Sequence, residues 1–326
     1  MFRKSRRTTC LAAGKSRMNL HIYLPVAGMA ANVLIVAGLG AAVGMLAGLF
    51  GVGGGFLITP LLIFIGIPTD VAIATGANQA IATSVSGAIA QWHRDNVDLK
   101  MAAYLLSSGL VGAFLGVQLV KVMKTIGQFD LMVSLCYIVF LGGVGIIMLV
   151  ESIGSMRRSR SGVPGGRRGG QHMWIHGLPW KTRFPRSKLY MSIIPPLMVG
   201  MTGGILSAVM GVGGGFILVP AMVYILKMRT TLAIGTSLTQ ITFVSSATTL
   251  LHAVTNNSVD IVLGMLLIAG GVIGTQIGTI AGGSMKAEQL RALMALLVLA
   301  VCLRVLFDLV AMPAEPYSLT VPALAP

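Results

Sequence analysis

The 326-residue chain is 55% hydrophobic and 10% charged. Soluble domains carry about a quarter charged residues, so an ordinary globular enzyme is excluded. The formal charge of +15 would suit nucleic acid, but six of the 24 Lys and Arg precede residue 18 and nine more fall between Arg157 and Lys188. Basic segments beside apolar spans normally mark the cytoplasmic face of a membrane, so no nucleic-acid partner is expected.

The apolar sequence divides into roughly nine or ten pieces of spanning or half-spanning length, which makes this an all-α polytopic membrane protein. Residues 1–17 form a basic N-terminal extension expected to be disordered. They do not read as a signal peptide, because the apolar stretch that follows is too long and lacks a clear cleavage site. A first transmembrane unit, 18–150, opens with an apolar block from Val33 to Ile67 interrupted by a glycine run at 51–55. Three simpler spans follow it, near 71–92, 100–123 and 131–150. The linker 151–188 is basic and rich in Gly and Pro, with Trp174 and Trp180 placed to touch the membrane interface. A second unit occupies 189–311 and a tail 312–326. Cys10, Cys136 and Cys302 lie far apart without a CxxC, so no disulfide framework and no metal site is indicated.

The second unit repeats the first. MLAGLFGVGGGFLITP at 45–60 matches ILSAVMGVGGGFILVP at 205–220, an offset of 160. AIATGANQ at 72–79 matches AIGTSLTQ at 233–240, and Gly109, Gly112 and Gly116 match Gly271, Gly274 and Gly278. Three blocks in one order, with a slowly drifting offset, mark two copies of one unit. Each glycine-broken block enters the membrane an even number of times and three spans follow, so the repeats are expected to be inverted. With the linker inside, Arg94, Lys100, Lys227, Arg229, Lys286 and Arg291 also fall inside, and Lys121 and Lys124 are exceptions. The basic N-terminus opposes this layout. Either Met18 is the true start, or one span fails to cross and the repeats are parallel; inversion is preferred.

The two GVGGG runs are the most informative feature. Backbone that leaves the helix inside a bilayer is tolerated only when buried in protein or lining a wet cavity. A helix restarting at Phe56 or Phe216 presents unpaired amides and the positive end of its dipole, an anion site without a charged side chain. The candidate substrate-binding residues are therefore Gly51, Gly53, Gly54, Gly55 and Phe56, with Gly211, Gly213, Gly214, Gly215 and Phe216. The following helices add Thr75 with Gln79, and Thr236 with Gln240, at i, i+4 spacing on one face, and beside them Asn78 and Thr239. The Gly109–Gly116 and Gly271–Gly278 patterns read as packing faces. His252 reads as an interfacial residue, and Arg304 with Asp308 as a helix-face ion pair. No acid occupies the middle of an earlier span, and no HExxH, GxSxG or Walker sequence occurs, so neither an enzyme nor a cofactor is expected.

The duplicated GVGGGFLITP and GVGGGFILVP, each followed by a helix of the AI-x-T-x-x-x-Q type, resemble the TauE/SafE family of bacterial inner-membrane permeases. The resemblance covers residues 20–311 and implies transport of small sulfur-containing anions, with sulfite and sulfoacetate export the family's named activities. It places the family's glycine motifs and polar helices at 51–55, 75–79, 211–215 and 236–240. The expected partners are a small inorganic or organic sulfur anion and membrane lipid, and a homo-oligomer is allowed. The competing readings are an anion channel of the same architecture and a membrane scaffold docking a partner through its basic linker.

Overall fold

The computed structural model describes residues 21–160, 181–184, 186–187, 189–256, 258–282 and 287–310. The N-terminal extension, the C-terminal tail, Trp174, Trp180, Cys10 and Lys286 lie outside them. In chain order come a hairpin of β1 (His21–Leu24) and β2 (Met29–Asn32), then α1 (Val33–Phe50), α2 (Gly55–Phe64), α3 (Thr69–Trp92), α4 (Leu99–Ile126) and α5 (Phe129–Arg160). A second hairpin, β3 (Lys181–Phe184) and β4 (Leu189–Ser192), precedes α6 (Ile194–Met210), α7 (Gly215–Tyr224), α8 (Thr230–Asn256), α9 (Ile261–Gly282) and α10 (Ala287–Val310). Five of the described helices, α1, α4, α5, α9 and α10, contain stretches long and apolar enough to cross a membrane. The chain is an all-α multi-pass membrane protein.

Small residues set the packing. Along α1 and α9, a Cβ on Gly44 would overlap the Gly271 carbonyl, and one on Gly274 the Ala41 carbonyl. Along α4 and α6, a Cβ on Gly112 would overlap the Met201 carbonyl, and one on Gly204 the Gly109 carbonyl. The expected packing glycines thus let backbones touch, where dispersion contact replaces the missing hydrophobic drive between helices in lipid. Each pair joins one half of the chain to the other. Outward-facing Leu110, Val111, Phe114, Ile273, Ile277 and Ile280 are exposed, as lipid-facing positions are.

The same contacts fix chain direction. On α1 and α9, Gly40 meets Leu267 and Gly48 meets Thr275, so the two run parallel, as do α4 and α6, where Gly200 meets Leu105 and Gly116 meets Ile205. Between α3 and α8 the order reverses: Thr242 donates to Ser84 at 3.1 Å, and Gly87 meets Leu238. Short turns reverse α3 into α4 and α8 into α9. Accordingly α1, α3 and α9 run one way and α4, α6 and α8 the other. Within the pairs α1 and α6, α3 and α8, and α4 and α9, the two helices therefore point in opposite directions. The polar helices α3 and α8 cross at the centre.

The hairpins are absent from the sequence reading; β3 lies inside the interval assigned to the linker, into which α5 also extends, and β4 opens the second unit. Each hairpin sits against the other half through a buried carboxylate. Asp260 accepts the amides of Val26 at 3.0 Å and of Val262 and Leu263 at 3.1 Å, joining the first turn of α9 to the β1–β2 turn. Asp98 accepts from the Met101 amide at 3.2 Å and from Ser187 through its amide at 3.1 Å and its hydroxyl at 2.5 Å. One carboxylate caps a helix and staples a hairpin in each half.

Candidate functional site

The break in each half begins with a left-handed glycine. Gly51 takes φ 65° and its amide returns to Ala47 at 2.8 Å; Gly211 takes φ 69° and returns to Ser207 at 2.9 Å. That closes α1 and α6 in the manner of a C-terminal glycine cap. The chain re-enters helix at Gly55 and Gly215, and α2 and α7 are each 10 residues long.

The two breaks face one another. A Cβ on Gly55 would stand 2.7 Å from the Gly211 carbonyl oxygen, and one on Gly215 would overlap the Val52 carbonyl. Phe56 and Phe216, the first side chains after each break, stack with ring centroids 6.4 Å apart and are fully buried. Among the described residues, the amides of Gly55, Phe56, Gly213, Gly214, Gly215 and Phe216 take no acceptor, while the Gly54 amide donates to Thr83 Oγ1 at 2.9 Å. Helix N-termini buried without partners are rare in proteins, because each bare amide forfeits its hydration.

Unpartnered side chains lie on the neighbouring helices α3, α6 and α8. Among the described residues, Thr75 Oγ1, Gln79 Oε1, Ser207 Oγ, Ser245 Oγ and both amide atoms of Gln240 are buried without a hydrogen bond. Ser245 lies against Gly213, whose Cβ would stand 2.9 Å from its oxygen. Gln79 lies one turn from Thr83, and its Nε2 donates to the Gly40 carbonyl at 3.3 Å. Gln240 sits in the matching place, against Gly109 of α4. No group of three His, Cys, Asp or Glu side chains that could hold a metal occurs among the described residues.

The sequence-selected residues divide on this geometry. The ten break residues come together, with Gln79 and Gln240 flanking them where three helices cross. Thr236 faces elsewhere: its hydroxyl accepts the Asp98 amide at 3.1 Å, at the turn between α3 and α4. Asn78 lies against Gly264 of α9, and Thr239 bonds back to the Gly235 carbonyl at 3.0 Å and lines a side crevice with Trp92 and Phe243. Thr83 is the contact the sequence reading passed over, although it continues the Thr75, Gln79 stripe by another four residues.

Access to the breaks differs between the two ends of the molecule. At the end carrying the β3–β4 hairpin, a crevice of about 340 Å³ runs down to Phe50 and Gly51, lined also by Gln91, Arg94, Asn96, Pro220, Thr230 and Ile234. At the other end the related space between α2, α5 and α10 is about 140 Å³ and does not reach Gly211. There Tyr137 donates its hydroxyl to the Met210 carbonyl at 2.7 Å, and His252 Nε2 lies 3.0 Å from the Ala208 carbonyl. His252 is therefore buried against α6, with Asn256 2.8 Å from its other ring nitrogen, and does not serve as the interfacial residue expected from its place near a span end. Arg304 and Asp308 pair at 3.1 Å, as their spacing requires.

A model of the family "Sulfite exporter TauE/SafE" matches residues 36–305. The chain is 29% identical over 283 residues to a probable membrane transporter protein of Xylella fastidiosa (strain 9a5c), covering 85% of this chain and 95% of that protein. It is 25% identical over 264 residues to the probable membrane transporter protein YjnA of Bacillus subtilis (strain 168), covering 80% and 94%. A shorter match, 29% identical over 117 residues, reaches the sulfite exporter TauE/SafE family protein 3 of Arabidopsis thaliana, with 34% of this chain and 25% of that protein. No solved structure matches the chain.

Proposed function

The chain belongs to the sulfite exporter TauE/SafE family and is a membrane transporter, and we propose that it is a secondary permease for a small sulfur-containing oxyanion, with sulfite export favoured and organosulfonates as close alternatives. The observation that carries this reading is the pair of facing helix breaks, whose buried amides take no protein acceptor.

Two helix N-termini pointing into one small space supply positive potential without a fixed cation. An oxyanion there accepts amides from Gly213 to Phe216 and from Gly55 and Phe56, with Ser245, Gln79 and Gln240 completing its hydrogen bonds. Neutral donors replace part of the ion's hydration while leaving it mobile enough to exit. Thr236, Thr239 and Asn78 contribute to the packing of their helices rather than to this shell.

The linker end is the cytoplasmic end of an inner-membrane protein in this reading. Arg94, Lys100, Lys227 and Arg229 cluster there by chain direction, in keeping with the positive-inside bias. Lys124, at the other end, is offset by Asp70 at 3.1 Å. The anion enters through the crevice above Gly51 and leaves when the halves rock about the breaks. That movement parts Tyr137 from the Met210 carbonyl and His252 from the Ala208 carbonyl, opening the route to Gly211.

Sulfite flux into proteoliposomes tests the assignment, comparing wild type with Gly213→Ala, Ser245→Ala and Gln240→Ala, each checked for folding. Loss of flux in correctly folded variants supports the site. Undiminished flux in all three would remove the breaks from substrate binding while leaving a transporter.

A further inference from the structure

Charge is distributed unevenly around the linker-end crevice. The connection after α3 folds back tightly: the Asn96 amide returns to the Gln91 carbonyl at 3.1 Å, and Asp95 takes φ 56°. That turn sets Arg94 in the crevice wall. The neighbouring carboxylate, Asp95, is already held by Arg186 at 3.1 Å. Among the described residues Arg94 makes no ion pair and no Asp or Glu lines the crevice. The other polar groups there, Gln91, Asn96, Thr230, Thr231 and Thr279, are neutral. In the second half the position matching Arg94 is Thr255, so the cation belongs to one end of the molecule.

We propose that Arg94 is the capture residue of the linker-end mouth, a guanidinium that holds a small oxyanion at the entrance and gives that end its selectivity for anions. This rests on the reading of the protein as an anion permease. The neutral donors at the breaks act only over hydrogen-bonding distance. A full charge in a cleft with low-dielectric walls acts further out and raises the local concentration of the opposite sign. The planar guanidinium also meets two oxygens of one anion at once. Because Arg94 is exposed, the captured ion keeps part of its water and passes on to the breaks without a deep trap.

Arg94→Gln, Arg94→Lys and Arg94→Glu test the assignment in the full-length protein. Sulfite flux is measured from each face of oriented proteoliposomes, alongside sulfite binding to purified protein by calorimetry. Arg94→Gln is expected to raise the half-saturating sulfite concentration at the linker face about tenfold, the low end of what charge focusing gives. Maximal rate from the linker face should change little, Arg94→Lys should restore most of the loss, and Arg94→Glu should exceed it. The wild-type advantage should shrink as ionic strength rises. A wild type that binds sulfite more tightly than Arg94→Gln, yet moves none, keeps the capture site and removes the permease. Unchanged half-saturation at the linker face, in a wild type that does transport, overturns the capture role alone. A wild type that neither binds nor moves sulfite or sulfate overturns both.

Discussion

Matching elements build both ends of this transporter, yet one end is open and the other shut. At the shut end Tyr137 and His252 grip the last carbonyls of α6, while at the open end the corresponding positions carry Leu299 and Gln91. Leucine cannot donate a hydrogen bond, and Gln91 is occupied with Asn96 at 2.9 Å. Neither of these two positions holds the end of α1, and the crevice of about 340 Å³ descends to it. A few side chains laid over a common frame thus distinguish the end whose crevice reaches a break from the end whose crevice does not. Since the grips are single hydrogen bonds to carbonyls, each worth about 1 kcal/mol net, the opposite opening lies within reach of thermal exchange.

The comparison is tested first where the halves should behave alike. Gly112→Val and Gly274→Val each drive a branched side chain into a backbone carbonyl of the facing helix. Both are expected to cost more than about 3 kcal/mol and to leave little folded protein on size-exclusion chromatography. Tolerance in one half alone would break the equivalence of the α1–α9 and α4–α6 pairs. Asp98→Ala and Asp260→Ala come next, each removing a helix cap and the acceptor for a hairpin. A loss of about 2 kcal/mol is expected in each case, read as a lower melting temperature.

The halves should then diverge. Gly54 holds φ −76° with its amide on Thr83, whereas Gly214 holds φ 76°, and the residue matching Thr83 is Val244. Gly214→Ala should cost about 2 kcal/mol from its left-handed backbone alone, and more from its approach to the Gly203 carbonyl. Gly54→Ala keeps an ordinary backbone and should cost about half as much, the strain coming from its contact with Thr83. Equal losses of stability would contradict the different conformations of the two breaks. The smallest effect belongs to Tyr137→Phe, which frees the Met210 carbonyl for about 1 kcal/mol. In a variant lacking native cysteines, Ser207→Cys should then be labelled roughly fivefold faster from the face opposite the linker. An unchanged rate would show that Tyr137 does not hold that end shut.

Much of the frame was legible from the glycines. Their spacing identified the backbone-contact faces and the duplicated breaks, because only glycine permits such close approach and its repetition is visible in a single sequence. The hairpins were not legible: HIYLP and KTRFP repeat at the same offset of 160, but four-residue strands carry too little alternation to stand out. Nothing local sets Asp98 and Asp260 apart from other acids at span ends, although VDL and VDI repeat around them. Their burial depends on a hairpin from the opposite half, which no local pattern announces. The site was half legible for a related reason. Residue type and i, i+4 spacing place Thr236 and Gln240 on one face, but that face is long enough for Thr236 to meet the α3–α4 turn while Gln240 stays near the break.

The most direct measurement is sulfite exchange across proteoliposomes loaded with sulfite, sulfate or neither. A site that faces one side at a time returns faster when occupied, so internal sulfite should accelerate entry of labelled sulfite severalfold over empty vesicles. Entry that follows its own gradient, at a rate indifferent to sulfite on the far side, would contradict alternating exposure of the paired breaks.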